Sequence, residues 1–200
     1  MEIFKKYFLM MRNVRYKPKN IFAYEGLANV RLAMLKGEVN MGSESSAGYN
    51  GKVVPFVKQN QLMPLYSTGL LNEEGNTKPE PAVKNIITVE QLYNQLHKTA
   101  PSGPAWEAFK VLVGVAVTGG KGILFPPGTE AQAQIVADAC VKMNADPAFQ
   151  KDIAKIAKGN PVIVGDELVG FWKAAFSAAK PEVITWLRDL LKTEYGVAFE

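Results

Sequence analysis

The sequence predicts an α/β fold on three observations. Between residues 20 and 58, short apolar runs alternate with runs of helical period; loops of glycine and small polar residues separate them; and the C-terminal third carries a series of helix-start signals. In order, residues 2–12 read as a short helix with Ile3, Tyr7 and Met10 on one side, broken by Lys17-Pro18-Lys19, because the residue before a proline avoids helix. Residues 21–24 form the first strand, closed by Glu25-Gly26. Leu27, Val30, Met34 and Leu35 then recur at i, i+3, i+7 and i+8, one face of a helix, with Gly37 placed to end it in a left-handed turn. Residues 39–41 make a second strand that opens into Gly42-Ser43-Glu44-Ser45-Ser46-Ala47-Gly48. That run is too small and polar for a core, and a helix carrying Val53, Phe56 and Val57 follows it.

Residues 62–67 read as a strand whose Pro64 confines it to an edge or a bulge. Residues 68–86 are rich in Gly, Asn, Glu and Pro and read as a surface excursion. Thr88 caps the next helix, over 88–96, with Gln91 three residues on as a capping box. Pro101-Ser102-Gly103-Pro104 breaks the chain before a helix over 106–117 with Phe109, Leu112, Val113 and Ala116 at helical spacing. Residues 122–125 read as a buried strand, and Pro126-Pro127-Gly128-Thr129 turns it into a helix over 130–143, with Thr129 and Gln132 as its capping box. Asp146-Pro147 supplies the N-cap and first position of a helix with Phe149, Ile153 and Ile156 inward. Residues 162–164 form a short strand. Asp166 caps a helix bearing Leu168, Val169, Trp172 and Phe176, and Lys180-Pro181 starts a last one that buries Ile184, Leu187 and Leu191.

Two hundred residues, 48% of them hydrophobic, suffice for one substantial core or two small ones. The net charge of +4 suits an anionic ligand, but the cations are scattered, with no basic stripe among aromatics to mark a nucleic-acid surface. The single cysteine, Cys140, forms no intramolecular disulfide and reads as a small buried hydrophobe beside Ile135, Val136, Ala139 and Met143. No run reaches the ~20 apolar residues of a membrane span. The apolar patch after Lys5-Lys6 is shorter than a signal-peptide core and no small-residue cleavage site follows it.

Enzymatic chemistry finds little purchase. Gly120-Lys121 has Val115 where a phosphate loop needs its first glycine, and Gly122 where it needs a hydroxyl, so residues 114–122 read as a flexible turn. Ser46 is followed by Gly48, but Glu44 occupies the first glycine of a nucleophile elbow. His97, the one histidine, reads as a solvated loop residue, and one histidine with one cysteine makes no zinc cluster. No acid-base pair or nucleophile stands out, and no cofactor is implied.

In an open α/β sheet the loops that follow the strands gather at one edge, where helix N-termini offer unpaired N–H groups to an anion. Tyr24-Glu25-Gly26 and the 42–48 loop are expected there. The serial order also matters: a strand ending in Tyr-x-Gly, an amphipathic helix ending near Leu35-Lys36-Gly37-Glu38-Val39, a small polar loop, and a helix closing on Pro55-Phe56-Val57-Lys58. Together with Phe125-Pro126-Pro127-Gly128-Thr129, Asp146-Pro147-Ala148-Phe149 and the paired final helices, this order resembles the solute receptors of tripartite tricarboxylate transporters, the TctC or Bug-type family.

The resemblance implies a two-lobed fold of the type II periplasmic-binding kind, outside the cytoplasm, closing over a small organic acid and presenting the closed form to membrane transport subunits. It covers roughly the C-terminal two-thirds of such a receptor. Residues 1–120 are then part of the second, inserted lobe and 121–200 the mostly helical return to the first. With the N-terminal lobe segment expected ahead of Met1, weak binding or self-association is expected of this chain alone. The implied ligand contacts are Tyr24, Gly26, Gly42, Ser43, Glu44 and Ser45. Gly26 would admit close backbone approach, and Glu44 would either accept from an amine, order water or cap the following helix. Tyr24 also reads as a plain core aromatic at a strand end. The alternative to a receptor is a scaffold or interaction domain that keeps the fold without transport.

Overall fold

The computed structural model describes residues 21, 24–72, 74–118, 122–156 and 162–198. They are mostly helical with one small sheet, an α/β composition in the loose sense. The helix expected over 2–12 and its break at 17–19 lie outside the described residues, as do 22 and 23 of the first strand. Helix α1 is Gly26–Leu35, and Gly37 follows it at φ +76°, the left-handed turn expected there. A helical run comes next: α2 (Ser46–Gly48), a π-helical turn (Tyr49–Val53) and α3 (Val54–Lys58). The sheet is an antiparallel hairpin, β1 (Leu70–Leu71) with β2 (Thr77–Lys78), pairing Leu70 with Lys78 and Leu71 with Thr77. A 3-10 turn at Pro81–Val83 leads to α4 (Val89–His97), α5 (Pro104–Val113) and a second π-helical turn from Gly114 to Thr118. The chain ends through α6 (Glu130–Ala145), α7 (Pro147–Ile156), α8 (Gly165–Ser177) and α9 (Pro181–Tyr195).

The core forms where α5 packs against α8 and α9, with β1 and the second π-helical turn closing it. Trp106, Phe109 and Val113 repeat at i, i+3 and i+7 and point one stripe of α5 inward. Trp106 and Phe109 stack at 5.0 Å between ring centroids. Leu71, at 0% exposure, contributes from the hairpin, so residues 68–86 are not the surface excursion that their composition suggests. Composition marks turns well; it does not reveal one leucine that a hairpin folds inward. This buried cluster draws on residues from both sides of position 120.

Four expected strands do not form: 39–41, 62–67, 122–125 and 162–164 have no ladder partner, apart from one parallel bridge between Ser67 and Thr88. Ile21 and Tyr24, the described ends of the first expected strand, are not in a strand either. A short apolar run becomes a strand only when a neighbour supplies its hydrogen bonds, and the described residues supply one hairpin. Residues 122–125 are also not buried: Ile123 is 73% and Leu124 88% exposed.

Helix caps were more legible. Thr88 Oγ1 accepts from the Gln91 N–H at 3.2 Å and Gln91 Oε1 accepts from the Thr88 N–H at 2.8 Å, the reciprocal box expected. Asp146 Oδ1 accepts from the Ala148 and Phe149 N–H groups at 2.7 and 3.3 Å. Thr129 is the N-cap residue of α6 as expected, but forms no capping box; its hydroxyl donates to the Pro126 carbonyl at 2.6 Å. Asp166 lies in the first turn of α8, whose N-cap is Val164, because the helix starts at Gly165, at φ +66°, two residues earlier than expected. No side chain of α6 is buried, so Cys140 is half-buried among its neighbours and Ile135 is exposed. Val169 and Phe176 of α8 are exposed as well, the inward positions being Phe171, Ala174 and Ala175. His97 ends α4 and lies against Tyr93 at 4.3 Å between centroids, its Nε2 shielded and without a partner, so it is not a solvated loop residue. The flexible turn expected over 114–122 begins instead as packed π helix, its residues 119–121 lying outside the described set.

Two substitutions test this core. A Cβ on Gly114 would lie 2.1 Å from the Ala175 Cβ, so Gly114→Ala forces α8 away and should cost about 1–3 kcal/mol of unfolding free energy, read by urea denaturation. Thr88→Ala removes one half of the capping box and should cost about 1 kcal/mol by the same measurement, with Gln91→Ala adding less on that background than alone because the two bonds act together.

Candidate functional site

Helix α1 divides the candidate site. Asn29, Leu32, Ala33 and Lys36 lie on one face, and Val30, Arg31 and Met34 lie roughly half a turn away on the other. The first face is the floor of a groove of about 360 Å³, completed by Tyr24, Glu25 and Glu38. Ala33, at 2% exposure, is the buried residue of α1 and seats the groove floor. The 42–45 loop lies against the second face. A Cβ on Gly42 would meet Val30 Cγ1 at 2.6 Å and Met34 Sδ at 2.9 Å, so only glycine lets this loop approach so closely.

On the groove side, Tyr24 Oη donates to Glu38 Oε2 at 3.0 Å, and Lys36 Nζ stands 3.9 Å from Glu38 Oε1. Loss of water around the hydroxyl, then the hydrogen bond to Glu38 and its negative charge, raise the Tyr24 pKa above the ordinary value. Gly26, at φ +77°, opens α1, and Glu25 as N-cap makes no side-chain bond to the first turn. Its carbonyl instead accepts from Asn29 Nδ2 at 2.8 Å. The first turn of α1 therefore carries N–H groups with no capping side chain, the polarity that attracts an anion.

On the loop side, Glu44 forms an ion pair with Arg31 while its Oε1 accepts from the Ser45 N–H at 3.0 Å. The two side chains are 18% and 12% exposed. Gly48 packs on this carboxylate, its Cβ position lying 2.3 Å from Glu44 Oε1. Ser45 is the N-cap of α2, its Oγ accepting from the Gly48 N–H at 3.1 Å, so Ser45 and not Glu44 caps the helix. Ser43 is half-buried in the same loop. The helical run is tied outward by Ser46 to Glu80 and by Asn50 Nδ2 donating to the Ala82 carbonyl at 2.8 Å.

Of the expected contacts, Gly42, Ser43, Glu44 and Ser45 therefore stay together on one face, while Tyr24 belongs to the groove on the other and Gly26 to the helix start. Sequence reading missed Arg31, Lys36 and Glu38. Arg31 interrupts the apolar stripe between Val30 and Met34, a signal that something charged had to answer it; which acid did so depended on the path of the loop. Among the described residues no cluster of His, Cys, Asp and Glu could hold a metal, and no helix is long and apolar enough to cross a membrane. Comparison with family models, curated proteins and solved structures finds no match to this chain.

The Tyr24 pair has a pH signature. The folded chain holds this phenolic proton more tightly than the unfolded chain, so the contribution to stability is complete below the unfolded value near 10 and is lost as pH rises from there through the folded value. Ultraviolet titration should show the Tyr24 phenol ionising above that ordinary value. Tyr24→Phe should remove this transition and Glu38→Gln should lower its midpoint; a midpoint indifferent to Glu38→Gln would mean the pair is not formed.

Proposed function

We propose that this chain is a non-enzymatic solute receptor, or a fragment of one, for a small organic carboxylate, delivering it to a membrane transporter of the tripartite tricarboxylate type. The fold of the whole receptor is on this reading two α/β lobes of the type II periplasmic-binding kind, working outside the cytoplasm. The observation that carries the reading is the junction at Gly26, where an N-terminal helical turn without a capping side chain opens beside the Tyr24 groove. The serial order of the 24–58 motifs, including the small loop at Gly42 to Ser45, supports it. Glu44 does not oppose an anionic ligand in this setting, because Arg31 already balances its charge. Lys36, backbone N–H groups and ordered water would hold the carboxylate.

A second reading, a scaffold of the same fold without transport, is favoured by the exposed Ile123 and Leu124 and by α6, a helix of 16 residues with none buried. Thermal unfolding with and without a panel of mono-, di- and tricarboxylates, amino acids among them, separates the two. At about 100 times its dissociation constant, a ligand should stabilise a two-state fold by about 2.7 kcal/mol. A cooperative transition that no carboxylate moves would favour the scaffold.

A further inference from the structure

Charge around the α1 groove narrows the class of ligand, given the receptor reading on which this step rests. The groove offers two carboxylates, Glu25 and Glu38, against one cation, Lys36. Two carboxylates against one ammonium disfavour a ligand that brings only negative charge. Lys36 is only loosely engaged, 3.9 Å from Glu38 and 58% exposed along its side chain, so it keeps donors for a second acid group. Tyr24 gives its proton to Glu38 and keeps lone pairs that accept from a donor on the ligand. Between the polar ends lie Leu32 and Ala33, an apolar floor. Asn29 and Lys36 are seven residues apart on the helix, so the floor runs for about 10 Å. A volume of about 360 Å³ is at the small end of the roughly 300–1,000 Å³ that small-molecule sites occupy.

From this juxtaposition we propose that the groove binds a small α-amino acid with an apolar side chain, taken as the zwitterion: the Glu38 carboxylate receives its ammonium, the neighbouring Lys36 its carboxylate, and Leu32 with Ala33 its side chain. Neither a di- or tricarboxylate nor an uncharged amine satisfies both signs. Because Tyr24 ionises only above its ordinary pKa, it stays a neutral partner across physiological pH.

Isothermal titration of the chain with L-leucine, N-acetyl-L-leucine, L-leucinamide, succinate and citrate tests the proposal. Leucine should bind, whereas the acetylated compound, which lacks the ammonium, and the amide, which lacks the carboxylate, should each bind at least tenfold more weakly, as expected for loss of a charge-assisted bond. Glu38→Gln, at a half-exposed position that should still fold, should weaken leucine roughly tenfold, and Glu182→Gln on α9 should leave it unchanged. Succinate or citrate binding with leucine silent overturns the zwitterion and leaves the receptor reading standing. N-acetyl-leucine binding as well as leucine, or indifference to Glu38→Gln, overturns the assigned contacts, and silence from all five compounds overturns both the inference and the receptor reading beneath it.

Discussion

The structure depends on one close approach, that of Gly114 to Ala175. With no side chain on Gly114, the π-helical turn that continues α5 lies directly on α8, near enough that a Cβ there would sit 2.1 Å from the Ala175 Cβ and 3.5 Å from Leu71 Cδ1. That contact brings three elements distant in sequence to one point: the hairpin, the α5 continuation and α8. Leu71, Val113 and Ala175, each at 0% exposure, are buried around it. Close packing of this kind leaves no room for an added methylene, which is why a small residue on both sides is a physical requirement. The wider π-helical turn begins at this same residue, Gly114, where α5 ends.

Local rules carried sequence reading a long way on the helices. Thr88 with Gln91, Asp146 with Pro147 and Lys180 with Pro181 each announce a helix start through a side chain that meets backbone within three residues, or through a ring that needs no donor. Such signals are complete within the window in which they are read. Thr129 shows the limit: it stands at the N-cap with the right spacing to Gln132, but its backbone, at φ −118° and ψ 30°, is not the extended conformation of a capping residue, and its hydroxyl turns to the Pro126 carbonyl. The strands failed for a different reason. Residues 122–125 have strand composition, yet a strand is a relation between two segments, and nothing inside Gly-Ile-Leu-Phe says which segment answers it.

The candidate site was legible as residue types and not as an arrangement. Small residues at 42–45 mark a loop that lies against Val30 and Met34, whereas Ser46–Gly48, read as part of the same loop, already form a helical turn capped by Ser45. The sequence placed Tyr24 at a strand end and Ser45 inside a loop, where the structure has Tyr24 just ahead of α1 and Ser45 at the N-cap of α2. It did not show that α1 stands between them, because the periodicity that identifies a helix face does not say whether the opposite face is solvent or groove. Arg31 with Glu44 and Tyr24 with Glu38 span 13 and 14 residues, a helix and its return, and such pairs exist only after the return path is fixed.

Charge settles what each face of α1 can do. On the loop face the Arg31 to Glu44 pair is largely withdrawn from water and satisfied from within, with the Ser45 N–H taking the second carboxylate oxygen. Removing either partner would leave an uncompensated charge in a poorly hydrated place, so this pair serves to hold the loop and offers little to a ligand. On the groove face the acids are exposed and Lys36 is only loosely held. A net charge of +4 over the chain therefore says little about the ligand, because the excess of cations is not at the groove. On the zwitterion proposal, recognition there would rest on the local balance of acids and Lys36, where a molecule carrying both signs would meet an answering group for each.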